Sequence, residues 1–156
     1  MHAFQGALEE FKNRNTMVIG ASCDTNEVHF AWLCTPKSQG GIEGVTYPLL
    51  ADTHRQLANI LGIVDQDFEY DEEGNETFTG SNVTYRATYL IDEEGKIFHE
   101  SVNDMPLGRN VAEYLRLIDA YTHVQKFGEV CPANWQEGKD AMSADRNSTA
   151  AYLSTH

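Results

Sequence analysis

Ala3, Phe4, Ala7, Leu8 and Phe11 recur at helical spacing along residues 3–14, with charged residues on the opposite side. No capping side chain precedes them, so this helix reads as already under way at Met1. The β-branched and apolar run TMVIGAS, residues 16–22, predicts a buried strand. Val28, Trp32 and Leu33 predict a helix over 26–34, ended by Pro36 and the Gly40–Gly41 pair. The segment VTYPLLA at 45–51 predicts a strand, which Pro48 places near an edge. Thr53 and Gln56 have the spacing of a capping box ahead of Leu57, Ile60 and Leu61, and Gly62 stands where a helix C-terminus favours glycine. Residues 65–82 are polar and acidic, with Gly74 and Gly80 as turn signals, and predict a hairpin excursion or a long loop. Residues 83–91 predict a strand, and the turn from Asp92 to Gly95 leads into KIFHESV, completing an antiparallel hairpin. Val111, Tyr114, Leu115, Ile118 and Tyr121 share one face of a predicted helix over 110–122. After Gly128 the pattern dissolves into a tail packed against something else. The order α, β, α, β, α, β, β, α, tail predicts an α/β layer architecture around a central sheet.

Composition narrows the function classes. A length of 156 residues suits one domain with a short tail, and 41% apolar residues supply a core without disulfide staples. The formal net charge of −13 comes from 24 acidic and 11 basic side chains, a field that repels phosphate backbones and excludes nucleic acid as a partner. No run of about 18 apolar residues occurs, so no membrane-spanning helix is expected. The opening MHAFQGALEEF lacks the apolar core of a secretion signal. Three cysteines, Cys23, Cys34 and Cys131, do not make a disulfide scaffold, and a reducing, cytoplasmic setting fits them. The N-x-[ST] matches at Asn75, Asn82 and Asn147 read as chance.

Candidate chemistry is sparse. His2, His29, His54, His99, His123 and His156 show no i,i+4 pair, and no CxxC is present, so no structural zinc site is expected. The alternation of Asp65, Asp67, Glu69, Asp71, Glu73 and Glu76 mimics a calcium loop, but Tyr70 stands where the turn glycine belongs, so it reads as a solvated acidic loop. GGIEG at 40–44 lacks the Lys-Ser/Thr of a phosphate loop. No cofactor is expected. Cys23 and Cys34 read as small buried hydrophobes. Cys131, in GEVCPANW, lies in the tail, where access and mobility would let it meet another thiol. From the residues alone, its structural and functional readings balance.

GEVCPANW at 128–135 resembles the C-terminal arm around the resolving cysteine of typical two-cysteine peroxiredoxins. Further matches follow in that family's order: HAF at 2–4, LEEFKNR at 8–14, HFAWLCTPKSQGGI at 29–42, YPLLAD at 47–52, YRATYLID at 85–92 and VNDMPLGRNVAEYLRLIDAY at 102–121. The resemblance covers nearly the whole chain. It implies a thioredoxin-like α/β fold over 1–127, N-terminally incomplete, and a C-terminal arm over 128–156. It also implies reduction of hydrogen peroxide and organic hydroperoxides. A peroxidatic thiolate would become a sulfenic acid, a resolving cysteine of the partner subunit would form a disulfide, and thioredoxin or a similar reductant would reopen it. By position Arg86 and Arg109 match the family's active-site arginines, and Cys131 the resolving cysteine. The implied assembly is a homodimer and a ring of dimers.

The family's peroxidatic motif, proline-x-x-x-threonine-x-x-cysteine, is not in the chain. In register it ends just before HAF, so that cysteine is expected a few residues upstream of Met1, and neither Cys23 nor Cys34 can replace it by position. A misassigned start is the favoured explanation, ahead of a piece of a longer protein or a truncated paralogue. The chain alone is expected to be inactive. The alternative reading is a silent subunit that modifies assembly or offers a chaperone-like surface, and a thioredoxin-like redox protein using Cys23 or Cys34 ranks last. Glu43 interrupts the family's GG-L/I-G motif, and Leu153 replaces a phenylalanine in its tail motif, which together imply intermediate sensitivity to overoxidation at most. The acidic insert at 66–82 is unusual for the family.

Overall fold

The computed structural model describes residues 1–155; His156, one of the six scattered histidines, lies outside the described residues. The elements are α1 (His2–Gly6), α2 (Leu8–Asn13), β1 (Gly20–Ser22), α3 (Asn26–Cys34), β2 (Leu49–Ala51), α4 (Gln56–Ile60), β3 (Asp67–Tyr70), β4 (Glu76–Thr79), β5 (Arg86–Ile91), β6 (Ile97–Asn103), α5 (Val111–Phe127) and α6 (Arg146–Thr155). Both α-helix and mixed β-pairing are present, as the α/β reading requires. The pairing falls into three two-stranded ladders: β1 parallel to β2, β3 antiparallel to β4, and β5 antiparallel to β6. Residue contacts divide the chain into two units. One comprises Met1–Glu9 and Met17–Arg109; the other comprises Glu10–Thr16 and the residues from Asn110 onward.

In the first unit the core is Ile42, Val45 and Tyr47, against which Phe4, Leu8, Val18, Trp32, Leu33 and Leu49 pack. Residues 16–22 contribute less than the buried strand expected of them. Only Gly20–Ser22 pair, and Met17 and Ile19 are 72% and 55% exposed. A two-stranded parallel ladder of three residues per strand has little neighbouring structure to cover its apolar side chains. Pro48 precedes β2 and uses the one backbone hydrogen-bonding group it has, its carbonyl accepting from the Gly20 amide at 2.9 Å. Thr25 caps α3 by accepting from the Val28 amide at 3.3 Å. That helix buries His29, only 5% exposed, while Val28 faces outward. Gly41 is obligatory in the following loop, because a Cβ there would collide with the Thr35 carbonyl.

The start of α4 corrects the capping-box expectation. Asp52, not Thr53, supplies the cap: its Oδ1 accepts from the Leu57 amide at 3.2 Å and its Oδ2 from the Ala58 amide at 2.8 Å. Thr53 Oγ1 instead donates to the Asp24 carbonyl at 3.4 Å. Residues 65–82 form a hairpin, β3–β4, in which Phe68 pairs with Phe78 across the ladder. Its base is tied by Asp65, whose carboxylate accepts from the Ser81 hydroxyl at 2.6 Å and the Tyr85 hydroxyl at 3.1 Å. The β5–β6 hairpin turns on Asp92, whose Oδ1 accepts from the amides of Glu94 and Lys96 at 3.0 and 2.9 Å.

In the second unit α5 buries Tyr114, Leu115 and Ile118, and Gly128 closes it with φ 68° and an amide bond to the Val124 carbonyl. Arg14 grips Asp119 through Nε and Nη2 at 2.7 and 2.9 Å. The segment after Gly128 is not the loose tail its weak periodicity suggests. Val130 and Met142 exchange backbone bonds of 2.7 and 3.2 Å, Trp135 is 2% exposed, and α6 follows from a cap at Asp145. RNSTAAYLST carries no apolar stripe from which periodicity would predict this helix.

Replacing Asp52 with Ala is expected to remove the α4 cap and lower stability by about 1 kcal/mol, whereas Thr53→Ala costs less. Urea unfolding of the two variants measures the difference.

Candidate functional site

Arg86 opens β5 and pairs with Asn103 of β6 through the backbone. Its Nε donates to the Met105 carbonyl at 3.2 Å, in the loop that follows β6. Arg109, at the end of that loop, reaches back: its Nε and Nη2 both donate to the Ala87 carbonyl, at 3.2 and 3.0 Å. Each arginine therefore braces the segment that carries the other. The loop holds its own shape through Asn103 Nδ2, which donates to the Gly108 carbonyl at 3.0 Å, and Asp104, which accepts from the Met105 amide at 2.7 Å.

The field of Arg109 reaches the first turn of α1. Burial first, then Arg109, holds the amino group of Met1 below its ordinary range. Burial raises the Tyr47 phenol, and Arg109 opposes that rise. The Tyr47 hydroxyl donates to the Met1 carbonyl at 3.1 Å. Backbone carbonyls thus hold the Arg86 side chain at Nε and the Arg109 side chain at Nε and Nη2. Guanidinium groups so placed can hold a thiolate or polarise a peroxide oxygen as charge develops on it.

Cys131 belongs to the second unit. It is half-buried, and its Sγ donates to the Ala120 carbonyl of α5 at 3.8 Å. This corrects the expectation of a mobile tail thiol. Burial, with a contribution from Glu129, pushes the thiol up, while Arg116 pulls it down. Arg116 forms a two-point pair with Glu113 at 2.7 Å each, and its Nη1 donates to the Trp135 carbonyl at 3.1 Å. His123 lies 2.8 Å from Glu129 and stacks, tilted, on Trp135 with ring centres 4.9 Å apart. Trp135 Nε1 donates to the Lys139 carbonyl at 3.0 Å. Beside this cluster is a hollow of about 540 Å³ lined by Pro132, Trp135, Lys139 and Tyr152 among others.

The structure thus brings Arg86 and Arg109 together in one unit and places Cys131 in the other. All three cysteines are free thiols. Cys23 is half-buried, and burial raises its thiol, Asp52 and Asp24 adding to the rise and Arg55 opposing it. Cys34 is exposed, against the expectation that it is buried, because the face of α3 turned inward is the one carrying His29. Among the described residues no group of three or more His, Cys, Asp or Glu side chains is placed to hold a metal ion, and no helix is long and apolar enough to cross a membrane. Sequence reasoning missed Arg116 and Tyr47. The Glu113-x-x-Arg116 spacing on a predicted helix is a legible ion-pair signal, although its connection to Trp135 is not.

Residues 1–100 match the model of the AhpC/TSA family, and residues 120–155 match that of the C-terminal domain of 1-Cys peroxiredoxin. The chain is 41% identical over 154 residues to peroxiredoxin-1 of Gekko japonicus, covering 99% of this chain and 71% of the relative. It is 38% identical over 151 residues to alkyl hydroperoxide reductase C of Helicobacter pylori, covering 97% of this chain and 69% of the relative. The reduced 2-Cys peroxiredoxin of Plasmodium vivax superposes with a TM-score of 0.85 at 37% identity, over 97% of this chain and 72% of that one.

Alkylation of the native protein at pH 7.5 is expected to label Cys34 first and Cys131 more slowly. Peptide mass spectrometry of a time course resolves the order.

Proposed function

The chain belongs to the AhpC/TSA family of peroxiredoxins, which are thiol-dependent peroxidases, and from that premise we propose that it is a peroxidase subunit in which Arg86 and Arg109 frame the peroxide and Cys131 resolves the oxidised thiol. The observation that carries this reading is the reciprocal bracing of the two arginines through the Met105 and Ala87 carbonyls. The substrates are hydrogen peroxide and organic hydroperoxides.

A thiolate attacks one peroxide oxygen. The O–O bond breaks, the thiolate becomes a sulfenic acid, and water or an alcohol leaves with the proton delivered to it. The Cys131 thiol then attacks the sulfenic sulfur, forming a disulfide across two subunits and releasing water. A dithiol such as thioredoxin reduces the disulfide and is itself oxidised. The two arginines favour the thiolate and stabilise the negative charge building on the departing oxygen. The reading assigns the attacking thiol to a residue N-terminal to Met1, since Cys23 and Cys34 do not occupy its place in the family's order. The 156 residues alone are then inactive. The working assembly is a homodimer within a ring of dimers, in the cytoplasm, with residues 1–127 as the peroxidase domain and 128–156 as the arm.

The test is peroxide consumption with thioredoxin and its reductase, comparing this chain with a form extended by the residues encoded upstream of Met1. Only the extended form is expected to turn over. In it, Arg86→Ala and Arg109→Ala should each lower kcat/KM for peroxide by about a hundredfold or more, within the range for removing one charge-stabilising donor. Turnover by the 156 residues alone would contradict the assignment. An in-frame stop codon immediately upstream would favour a silent subunit.

A further inference from the structure

Arg116 lies outside the pair of arginines assigned to the peroxide, yet in the second unit it bonds both to Glu113 on its own helix and to the Trp135 carbonyl. It stands on α5 one turn before Ala120, so the two share a face of the helix. The Ala120 carbonyl accepts from Cys131 Sγ at 3.8 Å, while Arg116 Nη1 donates to the Trp135 carbonyl at 3.1 Å, four residues beyond the cysteine. The guanidinium is aimed by Glu113, one turn earlier, through Nε and Nη2 at 2.7 Å each. Segment 131–135 is thus pinned along one strip of α5 at both ends, by a thiol at one and a carbonyl at the other.

We propose that Arg116 is a positioning residue for the resolving thiol, a latch that holds the Cys131 segment down on α5 and keeps the thiol sheltered until the segment lifts. This deepens the reading of Cys131 as the resolving cysteine and rests on it. The forked geometry explains why arginine suits the place. Two nitrogens meet the Glu113 carboxylate and a third is left for a backbone carbonyl, a division that a lysine ammonium cannot reproduce. The sheltering is visible in the thiol, which burial pushes up despite the opposing charge of Arg116. The latch and the charge of Arg116 therefore act in opposite directions on Cys131, and experiment can separate them. Loss of the latch alone speeds reaction of the thiol. Loss of the charge alone slows it.

The experiment is alkylation of Cys131 by iodoacetamide, followed by peptide mass spectrometry from pH 6.5 to 10 in the full chain. The wild type is compared with Arg116→Lys, Arg116→Ala and Glu113→Gln. Cys23, in the other unit, serves as an internal control in the same samples. Arg116→Ala is expected to speed alkylation of Cys131 about tenfold at pH 7.5 and to shift its pH midpoint down toward that of a free thiol, with Cys23 unchanged. Arg116→Lys, which keeps the charge but not the fork, should speed it as well. An unchanged or slower rate in Arg116→Ala overturns the proposal, as does a wild-type rate in Arg116→Lys. If Arg116→Ala also exposes Cys23, the variant has unfolded and Glu113→Gln decides: a rate about threefold above wild type supports the latch, and a wild-type rate overturns it. Turnover of Cys131→Ser in the extended form separates the two readings. If that variant retains full turnover, the resolving role fails while the latch stands or falls on the alkylation rates.

Discussion

Arginine side chains donating to backbone carbonyls are the interaction on which this molecule depends. Of the six arginines in the sequence, five donate to such carbonyls: Arg14 to Glu10, Arg55 to Asn82, Arg86 to Met105, Arg109 to Ala87 and Arg116 to Trp135. A guanidinium has five donors, so it can hold a backbone carbonyl while serving another group. In a chain with 24 carboxylates this is a distinctive use of scarce cations. It fixes the loop before α5, the base of the acidic hairpin and the segment after Cys131.

The two units use the same device for different ends. Around β5 the arginines brace a strand and a loop against each other, so two backbone segments set their positions. Around α5 the arginine and its glutamate hold a thiol against the helix. A resolving cysteine must stay protected while idle and become available when a sulfenic acid forms. A thiol raised by burial and held by a hydrogen bond to the Ala120 carbonyl meets both demands, because lifting the segment returns it to water.

Much of this was legible in the sequence, for stated physical reasons. The α5 stripe and the β5–β6 hairpin announced themselves through their period and through the Asp92–Gly95 turn. Arg86, Arg109 and Cys131 stood out because ordered motifs surround them. What stayed hidden depends on tertiary contact. Helix α6 has no apolar stripe, and Trp135 carried no signal of its 2% exposure. The cap of α4 fell to Asp52 over the better-spaced Thr53, because Arg55 adopts a left-handed backbone (φ 55°) that brings the Asp52 carboxylate beneath the helix amides. Cys34 reads as a small buried hydrophobe by residue type alone, whereas the polar His29 is the residue of α3 that goes inside.

The central claim is that Cys131, held on α5, is the thiol that closes the catalytic disulfide. Its most direct test is non-reducing peptide mapping of the upstream-extended protein after one equivalent of hydrogen peroxide. The account predicts a single new disulfide joining Cys131 to a cysteine N-terminal to Met1, with Cys23 and Cys34 recovered as free thiols. Recovery of Cys131 as a free thiol, with the oxidised sulfur elsewhere, would contradict it.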